Sequence, residues 1–291
     1  MRGIGIIPNW KKKQSVRELM IRITAFFEDK DVCLYILENS EAEPQPGAQF
    51  LPYDQFPGRV ELVIVLGGDG TILRVARELV GKDIPILGVN LGQMGFLAEV
   101  EPVMLESALQ KLMDGFYTIS HRSMLAAGVI RDGKRVADYT ALNDIVIAKG
   151  TVSRIVYVDT YVNDKYLESY PADGIIVSTP TGSTGYSLSA GGPIVNPALD
   201  IMIITPICPH LLHHRSVIVS STERVSMQVN SQAEVMLTVD GQVTFPLQDQ
   251  DVVQVTSAVL TTPLVQLQDS DFYVLLHRKL MKVIRREPER V

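Results

Sequence analysis

The sequence predicts an α/β domain with a doubly wound parallel sheet, followed by an antiparallel β-rich domain. Three observations carry this. Up to about residue 120, short continuously apolar runs alternate with helix-periodic stretches, as expected of strands covered by helices on both faces. Beyond that point short strands follow one another across turns, and helical periodicity nearly disappears. Helical spacing returns in residues 271–286, DFYVLLHRKLMKVIRR, which points to a last segment that returns to the first domain. The expected division is 1–122, 123–266 and 267–291.

The elements read in order as follows. GIGIIP at 3–8 is a strand, 15–28 a helix and VCLYIL at 32–37 a second strand. Residues 38–58, rich in Glu, Pro, Gln and Gly, read as a loop. LVIVL at 62–66 is a buried strand, and from Ile72 apolar residues recur at helical spacing through Val75, Ala76, Leu79 and Val80. IPILGV at 84–89 is a strand and 103–113 a helix. Strands are then expected at 124–130, 138–148, 154–162, 174–178, 224–229, 235–239 and 252–255, with one helical stretch near 183–190.

Bulk properties narrow the function. The chain has 291 residues, 46% of them hydrophobic, enough for two cores. A formal net charge of −6 speaks against a nucleic-acid partner. Cys33 and Cys208 are too few for a disulfide scaffold or a thiolate zinc site, and they fit a reducing, cytoplasmic setting. The N-terminus lacks the apolar region of a signal peptide, and no apolar run approaches the ~20 residues of a membrane span, so no membrane role is expected. His210, His213 and His214 have no matching cysteines, and no dedicated protein metal site is expected.

The most informative segment is 60–80, VELVIVLGGDGTILRVARELV. A glycine-rich turn between strand and helix is a natural phosphate site, because the helix N-terminus offers free N–H donors. Gly67, Gly68 and Gly70 are expected to permit positive φ and to leave the backbone open to a ligand. Asp69 conflicts with a simple phosphate cradle. It fits as a ligand of a divalent metal bridging to phosphates, as a base beside a phosphoryl-transfer centre, or as a helix cap. The turn is neither a Walker A loop, since no Lys-Ser/Thr pair ends it, nor the dinucleotide fingerprint, whose third glycine is replaced by Leu73.

Three further segments qualify. NLGQMGFLAEV at 90–100 reads as a second loop at the carboxyl edge of the sheet or as an ordinary connection. Asn143 and Asp144 interrupt an apolar strand, suiting sugar hydroxyls or marking a strand edge or bulge. STPTGSTGYSLSAGG at 178–192 is dense in hydroxyls around one aromatic, Tyr186, and reads as a wrap for a polar ligand or a flexible loop. Asp240-Gly241-Gln242 by itself is an uninformative turn.

Together these segments resemble the NAD kinase family. The match includes GGDGT at 67–71, NLGQMGFL at 90–97, LNDIVI at 142–147, DGIIVSTPTGSTGYSLSAGGPIV at 173–195, DGQ at 240–242 and FYVLLHRKL at 272–280. The resemblance implies ATP-dependent phosphorylation of NAD at the 2′-hydroxyl of its adenosine ribose, a divalent cation such as Mg²⁺ accompanying ATP, and a homo-oligomer, dimer or tetramer. It makes Asp69 the proton acceptor. Gly67, Gly68, Gly70 and Thr71 become the phosphate loop. Asp69, Gly70, Arg74, Asn143, Asp144, Arg154, Asp173, Thr184, Gly185, Tyr186, Ser187, Leu188, Ser189 and Gln242 become NAD contacts. Gly185 stands where Ala is commoner, Pro171 replaces a frequent basic residue, and Ser216 replaces a frequent proline. GGDGT also occurs in diacylglycerol and sphingosine kinases, and a non-catalytic NAD(P) sensor would share the binding segments.

Overall fold

The computed structural model describes residues 3–38, 43–92, 95–150, 155–210, 215–231, 233–267 and 271–284. The first half of the chain forms β1 (Gly3–Pro8), α1 (Lys13–Phe27), β2 (Cys33–Leu37), β3 (Ala48–Leu51), β4 (Leu62–Leu66), α2 (Asp69–Glu78), β5 (Ile86–Val89) and α3 (Leu105–Met113). Then come β6 (Tyr117–Arg131), β7 (Lys134–Ala141), β8 (Asp144–Lys149), β9 (Val156–Val162), β10 (Lys165–Ala172), β11 (Gly174–Ser178) and α4 (Tyr186–Ser189). The chain continues through β12 (Ile201–Ile207), β13 (Val217–Ser220), β14 (Val225–Asn230), β15 (Val235–Val239), β16 (Val243–Leu247), β17 (Val252–Leu267) and α5 (Phe272–Ile284). Two units result: Met1–His121 with Pro263–Val291, and Arg122–Thr262. None of the described helices is long and apolar enough to cross a membrane.

In the first unit the strands run parallel in the order β5-β4-β1-β2-β3, and Leu264 of β17 pairs beside β5. Every residue of β1, β4 and β5 is buried, because helices cover both faces. Ile4, Ile6, Ile64, Leu66, Leu87 and Val89 share one core with α1 and α3. α1 contributes Val16, Leu19, Met20, Ile23 and Phe27, one stripe at helical spacing. Gly88, between Leu87 and Val89, faces the other side, where Ile72 of α2 lies against it. The sheet is therefore wound on both faces, as the alternating pattern requires. α5 meets this unit through Lys279, whose ammonium sits 5.1 Å from the centre of the Phe96 ring.

The switch point lies between β1 and β4: from β1 the chain moves outward through β2 to β3, then crosses back to β4 on the other side of β1. Ligands of open α/β sheets bind at the carboxyl ends of strands flanking such a point. Asn9, just past β1, donates its N–H to the carbonyl of Leu66 at 2.8 Å. Its side chain reaches Thr71 Oγ1 at 3.4 Å. GGDGT thus starts at the site that topology favours.

The second unit holds two antiparallel sheets. One runs β10-β9-β14-β17, with β6 pairing β17 and β7; the other runs β13-β12-β11-β8-β15-β16. Ile145, Ile147, Ile175, Val177 and Leu237 of the second meet Val156, Val158, Met227, Val253 and Val255 of the first in one core.

Several expectations need correction. The loop at 38–58 contains β3, an edge strand of four residues that is half-exposed and therefore carries no clear apolar signal. The single strand expected at 138–148 is two, β7 ending at Ala141 in one sheet and β8 starting at Asp144 in the other. Leu142 and Asn143 form the corner, so the polar pair marks a change of sheet. β10, β12, β13 and β16 were not visible in the pattern, and β17 runs well past Val255. β10 and β16 are edge strands with mostly solvated side chains, each containing a proline. Pro206 likewise masks β12, yet it lies past Ile204, where the pairing with β13 stops, so a missing N–H is tolerated.

Candidate active site

In the first unit, β4 ends at Leu66 and α2 starts at Asp69, with Gly68 as its N-cap. The expected positive φ is absent at Gly67, Gly68 and Gly70. What the turn needs is space. A Cβ on Gly67 would stand 2.3 Å from Thr71 Oγ1, while the position of a Cβ on Gly68 is open, with nothing within 4 Å. Gly68 therefore presents bare backbone at a helix N-terminus, where a phosphate is favoured.

Asp69 does not cap its own helix. Its Oδ2 accepts the N–H of Phe96 at 2.7 Å, and its Oδ1 accepts those of Leu97 at 3.0 Å and Ala98 at 3.1 Å. The segment after Asn90 is folded around this carboxylate. Asn90 is buried and closes the start of the loop on itself, accepting from the Gly92 N–H at 3.0 Å and donating to the Gly92 carbonyl at 3.2 Å. Gly95 has no room for a side chain: its Cβ would lie 1.6 Å from Asp69 Oδ1. An ionised carboxylate offers about four lone-pair positions. Among the described residues Oδ1 uses both of its positions and Oδ2 one of its two, so a single acceptor position remains, on Oδ2. Arg74 lies one turn along α2 with its Nη1 bonded to both carboxylate oxygens of Glu78, at 2.8 and 3.0 Å.

In the second unit the Leu142–Asp144 corner is clasped from two sides. The Asp240 carboxylate accepts the N–H groups of Leu142, Asn143 and Asp144 at 3.2, 2.8 and 3.2 Å. The Thr179 hydroxyl donates to the Leu142 carbonyl at 2.7 Å, and the Thr179 N–H donates to the Asn143 carbonyl at 2.9 Å. Gly182 packs so tightly that a Cβ would sit 2.1 Å from that same carbonyl oxygen. The corner's N–H groups are thus satisfied, but among the described residues Asn143 Oδ1 is buried with no partner, as are Ser178 Oγ and Thr181 Oγ1. Unpaired buried acceptors are costly and mark where a ligand's donors belong. Asp144 is buried, and its carboxyl is pushed up to about 7, by desolvation first and by the charge of Asp240 second.

Beside this corner, a Cβ on Gly185 would come within 3.3 Å of Asn143 Nδ2, so glycine gives the Asn143 amide room. Tyr186 is 47% exposed, its hydroxyl pushed up by partial burial, then by Cys208, Asp173 and Asp144. Asp173 pairs with Lys149 at 2.6 Å.

Two family models match the chain: one described as the ATP-NAD kinase N-terminal domain over residues 53–117, the other as the ATP-NAD kinase C-terminal domain over residues 142–267. The NAD kinase of Natranaerobius thermophilus is 48% identical over 281 residues, spanning 96% of this chain and 98% of that one. The chain belongs to the NAD kinase family. The NAD kinase of Moorella thermoacetica is 44% identical over 284 residues, covering 96% of this chain and 89% of the other. The crystal structure of yeast NADH kinase complexed with NADH is similar with a TM-score of 0.84 and 26% identity, covering 100% of this chain and 90% of that one. The lipid-kinase alternative, which rested on GGDGT alone, gives way.

The NAD kinase motifs fall into two groups. Gly67, Gly68, Asp69, Gly70, Thr71 and Arg74 follow one another along the turn and first helical turns of the first unit. Asn143, Asp144, Asp173, Gly185, Tyr186 and the Asp240–Gln242 turn belong to the second. Thr184 is turned inward, its hydroxyl donating to the Thr181 carbonyl at 3.2 Å. Ser187 is fully buried and bonded to Thr205, which bonds the half-buried Ser216, giving that serine a place at the end of a hydroxyl chain. Leu188 is half-buried, and Ser189 and Gln242 are exposed. Arg154, His213 and His214 lie outside the described residues. Pro171 sits within β10 opposite Tyr157, its carbonyl accepting the His210 N–H at 2.8 Å. Among the described residues, no three His, Cys, Asp or Glu side chains are grouped to hold a metal. Sequence reasoning missed Asp240 as an organising residue, because its partners lie almost a hundred positions earlier. Its only local sign is a DG turn, which adopts positive φ at both residues.

Proposed function

We propose that this NAD kinase transfers the γ-phosphoryl group of ATP to the 2′-hydroxyl of the adenosine ribose of NAD, giving NADP and ADP, with Asp69 as the proton acceptor. The observation that carries the role of Asp69 is its clasp by Phe96, Leu97 and Ala98, which fixes the carboxylate and leaves one lone pair on Oδ2. That lone pair takes the hydroxyl proton as O2′ bonds to the γ-phosphorus and the bond to the β-phosphate oxygen breaks. Phosphoryl transfer needs mainly positioning and charge neutralisation, so one fixed base is adequate chemistry.

The open backbone at Gly68 suits the donor's phosphates, and Asn143 Oδ1, which has no partner among the described residues, suits with Asp144 the hydroxyl donors of the acceptor. Mg²⁺ fits as a cation carried by the triphosphate, held by phosphate oxygens, water and at most one or two carboxylates. The turn offers it no dedicated protein ligand, because the remaining position on Asp69 Oδ2 is the one that takes the hydroxyl proton, so phosphate oxygens and water would hold it. Bound there, it would neutralise charge on the transferring group. We place the enzyme in the cytoplasm as a homo-oligomer, dimer or tetramer.

A steady-state assay with NAD and ATP tests the assignment. NADP should accumulate with Mg²⁺, stop on chelation, and fall steeply in Asp69→Asn while NAD still binds. Near-normal turnover in that variant defeats the role of Asp69.

A further inference from the structure

We propose that Asp240 is a positioning residue for the acceptor: by clasping the Leu142–Asp144 corner it fixes how Asn143 and Asp144 meet the ribose of NAD. This rests on the reading above that this pair contacts NAD. The argument is geometric. β7 and β8 belong to different sheets, so the two residues joining them lie outside both ladders, and their N–H groups need partners. One side chain accepts from both, and from the N–H of Asp144 at the start of β8 as well. Asp240 is itself nearly buried, at 7% exposure, and its own N–H donates to the Asp144 carbonyl at 3.0 Å. The turn and the corner are thereby locked reciprocally. Its backbone is left-handed, φ 49°, at the turn between β15 and β16.

The same placement has an electrostatic consequence. Asp240 sets a like charge against Asp144, and among the described residues the Tyr186 hydroxyl on α4 also feels the Asp144 charge. A carboxylate accepts from two neighbouring ribose hydroxyls, whereas its protonated form gives up one acceptor position. Acceptor binding therefore strengthens as pH rises through about 7, where Asp144 ionises. Removing the neighbouring charge moves that transition to lower pH while leaving the part due to burial.

The test uses the full chain and four variants: Asp240→Asn, Asp240→Glu, Asp144→Asn and the double Asp144→Asn/Asp240→Asn. In the native chain KM for NAD should fall as pH rises from about 6 to about 8. Asp240→Asn should raise KM for NAD about tenfold or more, leave kcat within about threefold, and shift the transition down by about half a unit or more. Asp240→Glu keeps the charge but displaces the oxygens, so it should raise KM with the transition near its native position. The double variant should show no transition. A ¹³C carboxyl titration of Asp144 without substrate, in the native chain and Asp240→Asn, reads the charge coupling independently of NAD. An Asp240→Asn enzyme with native KM and an unshifted transition overturns the proposal. So does a variant in which kcat and both KM values deteriorate together, since that is general loss of structure. If Asp240→Asn does not fold, Asp240→Glu with native KM has the same force. An unchanged KM in Asp144→Asn instead overturns the reading that this pair contacts NAD, while the carboxyl titration still reports the coupling.

Discussion

Gly95 passes so close to Asp69 that a Cβ there would stand 1.6 Å from the aspartate's Oδ1. The loop that presents its N–H groups to this carboxylate approaches it without any intervening side chain. That contact has a control on the same loop: a Cβ on Gly92 would meet only the far end of the Lys12 side chain, at 3.0 Å. Gly95→Ala should displace Asp69 or the loop and lower kcat by roughly 10²-fold, because misplacing a reacting group by about 1 Å costs that much. Gly92→Ala should stay within a few-fold of native. Parallel steady-state assays decide it; equal effects at the two glycines would remove the special status of Gly95.

The clasp also changes what Asp69→Asn is expected to do. Loss of the base should cost roughly 10²–10⁴ in turnover. In addition, the new amide NH₂ must face an N–H donor, Phe96 on one side or Leu97 and Ala98 on the other. A donor facing a donor costs about 1–3 kcal/mol. Urea unfolding of the variant should show that loss, with NAD affinity changed only a few-fold.

Asp144 makes stability depend on pH in a defined direction. Its folded value, about 7, lies well above the 3.8 of an ordinary aspartate carboxyl. Below both values the carboxyl is protonated in folded and unfolded chains alike and has no effect. Between them the unfolded chain has lost a proton that the folded chain retains, so stability falls as pH rises. Above about 7 the full cost is present, of the order of ~4 kcal/mol at most. Asp144→Asn should therefore gain stability relative to the native chain between about pH 5 and about pH 8. Unfolding midpoints at those two values that move in parallel for both proteins would contradict this.

A purely structural ion pair should behave differently. Asp251 is 1% exposed and accepts from Arg131 Nε at 2.9 Å, Arg131 Nη2 at 2.7 Å and the Gln248 N–H at 2.8 Å. Asp251→Ala leaves the partly exposed guanidinium with its contact to the Pro246 carbonyl and should cost about 1.5–3 kcal/mol. The kcat of the folded fraction should be native, measured below the lowered Tm.

How much of this was legible in the sequence depends on how far apart the interacting residues lie. The parallel sheet of the first unit was readable from residues such as Leu62–Leu66, whose continuous apolar run reflects burial on both faces. The GGDGT, Asn143-Asp144 and 178–192 segments were readable as places where polar residues interrupt such patterns. Edge strands such as β3 and β16 were not, because a strand with one solvated side and a short ladder leaves little periodicity.

By itself, then, the sequence determined the α/β and β-rich halves, the family resemblance and the aspartate of the glycine-rich turn. Only the tertiary structure decided what Asp69 and Asp240 hold. Asp69 takes amides from the segment after β5, and Asp240 takes them from the corner before β8. It also replaced the expected positive φ at Gly67 with a requirement for space. The physical reason is common to all three. Local pattern records burial and periodicity, but a carboxylate closing on distant backbone N–H groups leaves no trace in spacing, because the amide it binds belongs to every residue type but proline.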